Sequence, residues 1–395
     1  MHNQSMKIKV LFRLRSLEMG GVQRVILDLL KNLPKEKFDF TLMLNLYQGE
    51  LINEIPQDIK VIVVEKGKEE MSLNPFIKKI QLAWRRIKLN FYSKFPTILY
   101  LLKVPENYDI EIASSYAEFD MVLKSPNKNS RKIAWFHTDV SYDTNQERAI
   151  ERIEKMKKFD HVVFCAEYIR KVIEVNYNVT YPSSSVIYNA IHVDEVRDKA
   201  SESFLEYQNI GKPIFCSVGR LHSRKGYNML IDVHNRLIKE GFKHSIVVLG
   251  DGEEKENLIK KINQLNLEET FKLLGTKINP YPYIKNANYF VLPTRSEAYP
   301  LVINEALALE KPIISTDVGG IPEMIDDEVD GVLIKYDENE MYESMKSFLI
   351  NPSLVNEMIE GTKNAKMKFD ENLIYKQVAE VFEQQYQLKL ENERN

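Results

Sequence analysis

Four side chains in the second half of this chain have the types and spacing to handle a charged, hydroxyl-rich ligand: Arg220, Lys225, Glu297 and Glu305. Arg220 and Lys225 lie in Gly219-Arg220-Leu221-His222-Ser223-Arg224-Lys225-Gly226, directly after an apolar run. An arginine can fork onto a phosphate and a lysine can act as a point charge. The plain alternative is a solvated basic loop. Glu297 and Glu305 lie in the segment that runs from Pro293 to Ala306. A helix starting near Pro300, a residue suited to a first turn, puts Glu305 in the second turn, where it can face the same cleft as Glu297. Helix-start amides suit a diphosphate and carboxylates suit sugar hydroxyls, although either glutamate alone could be surface charge. Gly20-Gly21 lets a ligand approach the backbone at a helix start, or is a simple turn between strand and helix.

Other routes to phosphate or metal chemistry are missing from the sequence. No G-x-x-x-x-G-K-[ST] loop, D-x-D pair, H-E-x-x-H motif or Cys/His ligand cluster occurs. Gly250-Asp251-Gly252 lacks the third glycine of a dinucleotide fingerprint and a clear acidic partner about twenty residues on. Backbone amides and cations are therefore expected to handle any phosphate, with no metal and no cofactor.

These residues need a scaffold, and the pattern supplies one. Apolar runs at 7–14, 40–46, 61–64, 110–113, 132–136 and 161–165 read as strands, with a helix at 22–33. The alternation restarts with strands at 213–218, 245–249, 270–274, 288–292 and 312–315, and helices at 227–240, 254–265 and 301–309. Strands alternating with helices imply βαβ units on parallel sheets. Two series predict an α/β protein of two doubly wound domains, residues 1–194 and 195–372. An amphipathic helix over 373–390 could close either domain.

Bulk properties agree. A chain of 395 residues with net charge −3 and 44% apolar residues is long enough for roughly two domains and too balanced for a general nucleic-acid binder. Residues 1–195 carry 29 basic and 25 acidic side chains, whereas 196–395 carry 25 and 32, so the halves are expected to meet different ligands. Two cysteines, Cys165 and Cys216, fit a reducing cytoplasm. Residues 1–6 do not read as a signal peptide, and no run reaches the roughly eighteen apolar residues of a spanning helix.

One stretch stands apart. Residues 76–105 contain Lys78, Lys79, Arg85, Arg86, Lys88, Lys94 and Lys103, with Trp84, Phe91, Tyr92, Phe95 and Tyr100 between them and no acid. Such a segment reads as an anionic membrane surface site, with a solvated helix face or a nucleic-acid patch as alternatives.

The order Gly20-Gly21, His137, Gly219-Arg220 with Lys225-Gly226, Gly250-Asp251-Gly252, Glu297-x7-Glu305, then Asp317 to Glu323 and Asp330-Gly331 resembles the family 4 retaining glycosyltransferases. The resemblance spans about 7–390 and is strongest over 213–335. It implies the GT-B fold, two Rossmann-like domains facing a central cleft, with the last helix (373–395) crossing back to the N-terminal domain. It implies that Gly219, Arg220 and Lys225 hold the donor diphosphate without metal and that Glu305 binds the ribose. Glu297, Tyr299, Leu301 and Val302 would meet the sugar, and Thr276 to Ile278 the base. His137 would sit by the sugar, although a histidine at a strand end is commonly structural. Gly20 and Gly21 would let the acceptor domain close on the diphosphate. Two departures stand out: Pro300 replaces a frequent glycine and removes an amide, and Asn189-Ala190 stands where Asn-Gly is common.

The implied function is a retaining transferase. It would move a hexose or N-acetylhexosamine from a UDP-linked donor to a saccharide or lipid-linked acceptor in capsule, exopolysaccharide or other cell-surface glycan synthesis. It would work in the cytoplasm or on the inner face of the plasma membrane. A nucleotide-sugar epimerase of the same fold, a non-enzymatic sugar-binding protein and a silent partner of another transferase are the competing readings.

Overall fold

The computed structural model describes residues 7–142, 145–365 and 370–394. Residues 1–6, which do not read as a signal peptide, lie outside them. The chain forms two compact units. One comprises Met1–Cys165, Arg170–Ala190 and Asn372–Asn395; the other comprises Ala166–Ile169 and Ile191–Glu371. The long boundary thus falls at 190/191, where the sequence placed it at 194/195.

The N-terminal unit holds seven strands: β1 (Ile8–Leu14), β2 (Phe38–Tyr47), β3 (Lys60–Lys66), β4 (Ile110–Ala113), β5 (Arg131–Phe136), β6 (His161–Phe164) and β7 (Ser184–Val186). All pair in parallel in the order β3-β2-β1-β4-β5-β6-β7. Central β1 is buried at six of its seven positions because both its faces are covered. The winding reverses between β1 and β4, with Val10 opposite Phe40 on one side and Ile110 on the other.

The C-terminal unit repeats the scheme with β8 (Ile214–Val218), β9 (Ser245–Leu249), β10 (Phe271–Leu273), β11 (Tyr289–Leu292), β12 (Ile313–Thr316) and β13 (Gly331–Ile334). The order is β10-β9-β8-β11-β12-β13, again all parallel. Here the reversal falls between β8 and β11, where Tyr289 is opposite Phe215 and Phe290 opposite Cys216.

The last helix, Glu371–Arg394, belongs to the N-terminal unit. Buried Phe382 meets the rings of Phe12 and Phe38 edge-on, with centroids 6.1 and 5.7 Å away. Arg131 donates twice to Gln385, and Lys389 pairs with Asp109 at 2.6 Å. The tail therefore completes the β1–β2 core, which settles the choice its amphipathic pattern left open. Residues 166–169 join the other unit through Glu323, whose carboxylate accepts from the backbone N–H of Glu167 (2.9 Å) and Tyr168 (2.6 Å).

Candidate active site

In an open parallel sheet, loops leaving two adjacent strands in opposite directions frame a crevice at the sheet's carboxyl edge. In the C-terminal unit those strands are β8 and β11, and the loops after them carry Lys225 and Glu297. The loop after β8 ends in a single 3-10 turn, Ser223–Lys225, stopped by Gly226 at φ 72°. A Cβ at Gly226 would lie 1.7 Å from the carbonyl oxygen of Pro293, so only glycine lets the two loops touch here. Backbone then joins backbone: Arg295 N–H donates to Arg224 O at 2.8 Å.

This seam brings the expected pair together. Lys225 Nζ donates to Glu297 Oε1, and the two side chains are only 12% and 10% exposed. Thr294 Oγ1 donates to the same oxygen at 3.2 Å. Glu297 is also fixed through its main chain. Its carbonyl accepts from Gly320 N–H, and Gly319, at φ 60°, would put a Cβ 1.6 Å from that carbonyl. Such a pair holds opposite charges nearly out of water, so each is stable only while the other or an equivalent ion is present.

Arg220 does not join them. Its side chain is 70% exposed and its Nη2 pairs with Glu253 at 3.2 Å; His222 Nε2 reaches the same carboxylate at 3.4 Å. Sequence reasoning missed Glu253 and His222. Their only signal is position, since each lies on the first turn of chain after a central strand. Gly219 heads the β8 loop and packs against Lys225: a Cβ there would come within 3.3 Å of the lysine Cε.

Glu305 lies in the second turn of the helix Leu301–Ala308, buried, and accepts from Tyr281 Oη at 3.2 Å. Tyr281 was also missed. Pro300 is the cap before this helix rather than part of its first turn. The amides of Leu301 and Val302 open the helix, where no intrahelical acceptor serves them. Tyr299 and Leu301 are buried and Val302 is half-buried. Thr276 and Ile278 are exposed in the loop after β10, at the same sheet edge.

The remaining candidates lie in the N-terminal unit. Gly20 caps the helix Gly21–Asn32 without a side-chain cap, and a Cβ at Gly21 would meet nothing within 4 Å. The helix start is therefore open at the carboxyl edge, beside the β1/β4 reversal. His137 follows β5 and stacks on Trp135 (centroids 6.0 Å apart, planes 7° apart). Among the described residues its buried Nε2 has no hydrogen-bond partner, and burial pushes its pKa down to about 4. The imidazole is thus neutral at pH 7 and can offer a hydrogen bond but not a charge.

Of Lys78, Lys79, Trp84, Arg85, Arg86 and Lys88, the residues expected on a membrane or acceptor surface, Lys79, Trp84, Arg86 and Lys88 are exposed. Lys78 and Arg85 are half-buried on the inner side of their helix; Arg85 donates to Gln48 Oε1 and to Lys66 O, and Lys88 pairs with Glu65 at 3.2 Å.

Comparison with known proteins points to one family. Residues 19–195 match the family described as Glycosyltransferase Family 4, and residues 199–365 match Glycosyl transferases group 1. A Campylobacter jejuni N-acetylgalactosamine-N,N'-diacetylbacillosaminyl-diphospho-undecaprenol 4-alpha-N-acetylgalactosaminyltransferase is 27% identical over 370 residues, 90% of this chain and 94% of that one. An uncharacterized Methanocaldococcus jannaschii glycosyltransferase is 32% identical over 41% of this chain, a match that spans only 40% of that relative's length. The crystal structure of Anabaena HepE with UDP-glucose superposes with a TM-score of 0.74 at 17% identity, over 95% of this chain and all of that one. With both halves of the chain matched in order and the fold shared, the protein belongs to the GT-B glycosyltransferases of the family 4 type.

Proposed function

We propose that this glycosyltransferase moves a sugar from a UDP-linked donor to a saccharide or lipid-linked acceptor in bacterial cell-surface glycan synthesis, with retention of configuration and without a metal. The observation that carries the reading is the Lys225–Glu297 pair at the β8/β11 crevice, with Glu305 held by Tyr281 on the adjoining helix. A diphosphate entering the crevice offers Lys225 a stronger anion than one shared carboxylate oxygen. Lys225 and Arg220 then face the oxygens on which charge builds as the nucleotide leaves. Glu297, released from the lysine, can accept from sugar hydroxyls, and Glu305 from those of the ribose. The bond from C1 to the diphosphate breaks as the acceptor oxygen bonds to the same face of C1. The acceptor's proton passes to the departing diphosphate.

The relatives support the substrate classes. The Campylobacter enzyme's name specifies a diphospho-undecaprenol acceptor and an α linkage, and HepE was crystallised with UDP-glucose. The test is UDP release from a panel of UDP-sugars with EDTA present, with and without lipid-linked and free saccharides, and the product anomer read by NMR. Acceptor-dependent UDP release with an α product from an α donor supports the reading. An epimerised nucleotide sugar formed without acceptor would transfer the assignment to the epimerase alternative.

A further inference from the structure

The helix Pro75–Lys94 buries no residue, although it is 20 residues long. At 100° per residue, Phe76, Ile80, Trp84, Ile87 and Phe91 fall within one arc of roughly 100°. All five are exposed, Phe76 to 72% and Trp84 to 62%. The opposite side, with Leu82, Leu89 and Tyr92, is half-buried, and Leu89 and Tyr92 pack on the cluster around Leu11, Met43 and Tyr100. An apolar stripe facing outward from an anchored helix is not a core face. Among the described residues no helix is long and apolar enough to cross a membrane.

We infer that this stripe lies in the surface of an anionic bilayer, with the helix parallel to the membrane plane. Charge selects the occupant. Lys79, Arg86 and Lys94 flank or edge the stripe, and none has an ion-pair partner among the described residues. No acidic residue occurs between Met71 and Pro105. A second copy of the helix would therefore bring only like charges to an apolar seam, whereas anionic head groups complement the cations and the acyl boundary takes the aromatic and aliphatic side chains. The helix is also tied to the candidate acceptor side of its own unit. Arg85 donates to Gln48 Oε1, Gln48 Nε2 donates to Glu18 Oε1 at 2.9 Å, and Glu18 lies in the loop that leads to Gly20. A lipid-linked saccharide held in that bilayer would present its head group near this loop. This last step rests on the transferase reading; membrane docking itself does not, and vesicle binding is measured without turnover.

The experiment is flotation of the full chain with vesicles of phosphatidylcholine alone and mixed with phosphatidylglycerol, alongside tryptophan emission. Of the two tryptophans, Trp135 is buried, so a shift on vesicle addition reports Trp84. The wild type is expected to float with the mixed vesicles and its emission to move to the blue. The double variant Lys79→Ser/Arg86→Ser should bind at least tenfold more weakly, since each cation near anionic lipid contributes about fivefold. Trp84→Ser should also lose binding, with an unchanged thermal midpoint because the position is exposed. No flotation, equal recovery on both vesicle types, or a homodimer that Trp84→Ser dissociates would each overturn the inference, the last by giving the stripe to a second copy.

Discussion

Lys225 and Glu297 are 72 positions apart in sequence, yet Lys225 Nζ donates to Glu297 Oε1 across the reversal between β8 and β11. The contact exists because two loops that diverge from neighbouring strands are joined at Gly226 and Pro293. It means that, without a donor present, one candidate phosphate ligand and one candidate sugar ligand neutralise each other. On the proposed function, donor binding would be an exchange of partners, with the diphosphate replacing the carboxylate on the lysine and the sugar replacing the lysine on the carboxylate.

Lys225→Ala should lower turnover by roughly 10²- to 10³-fold, the usual loss when a charge aimed at the transition state is removed. It should also destabilise the protein by about 3 kcal/mol, because Glu297 is left charged and nearly buried. Adding Glu297→Gln should restore most of the stability and none of the activity. Urea melts and a UDP-release assay on the single and double variants check both; recovery of turnover in the double variant would remove Lys225 from the donor site.

Arg220 is held by a different carboxylate, Glu253, at the surface. An exposed ion pair of this kind is weak, so its removal should help rather than harm a competing anion. Glu253→Gln is expected to lower the KM for the nucleotide sugar by roughly two- to fivefold with kcat nearly unchanged. A raised KM would mean that Glu253 positions Arg220 instead of competing for it.

Glu305→Gln should weaken UDP binding by about ten- to a hundredfold, the range for one hydrogen bond to a charged group. The partner atom on Tyr281 stays satisfied by the amide oxygen, so the thermal midpoint should move little. Calorimetric titration with UDP decides: an unchanged dissociation constant would place the ribose elsewhere.

Much of this fold could be read from the sequence because the parallel strands are nearly continuous apolar runs, and eleven of them stood out. The two that did not are edge strands: β7 is three half-buried residues beginning with two serines, and β13 begins with the glycine of an Asp-Gly pair. The phosphate and sugar candidates were legible because a basic Gly-flanked loop and a Glu-x7-Glu segment each follow a strand. Their partners were not, since Glu253 reaches Arg220 from the loop after β9 and Tyr281 reaches Glu305 from the start of the helix after β10. Likewise, the basic amphipathic pattern of residues 76–105 shows that two faces differ, whereas only packing shows that the apolar one points outward.

Acid should destabilise the protein through its buried histidines. His161 lies between Ser183 and Ser185, and His234 between His244 and Thr270. Burial pushes the pKa of His161 down to about 4 and that of His234 to about 3, and lowers His244 as well; His137 falls to about 4. Unfolded histidine titrates near 6.5, so above that pH neither state is protonated and these groups add no pH dependence. Below it the unfolded state binds protons that the folded state does not, and stability falls by up to about 1.4 kcal/mol per pH unit per histidine until the folded groups titrate. Urea midpoints at several pH values between 7 and 4.5 check the slope, and His161→Gln should reduce it by one proton's worth.

Phe382 is fully buried against Phe12 and Phe38, so the tail helix closes the N-terminal unit rather than merely following the C-terminal one. Truncating the ring should remove its burial and leave a cavity, at a cost of about 3–5 kcal/mol. Both tryptophans, Trp84 and Trp135, lie in that same unit, so their fluorescence follows its unfolding. Phe382→Ala should lower the tryptophan-detected urea midpoint by that cost divided by the denaturant slope m, while a substitution at exposed Glu380 on the same helix should leave it in place. If Phe382→Ala leaves the midpoint where it was, the helix adds no stability to the N-terminal sheet, and its place in that unit reflects tethering alone.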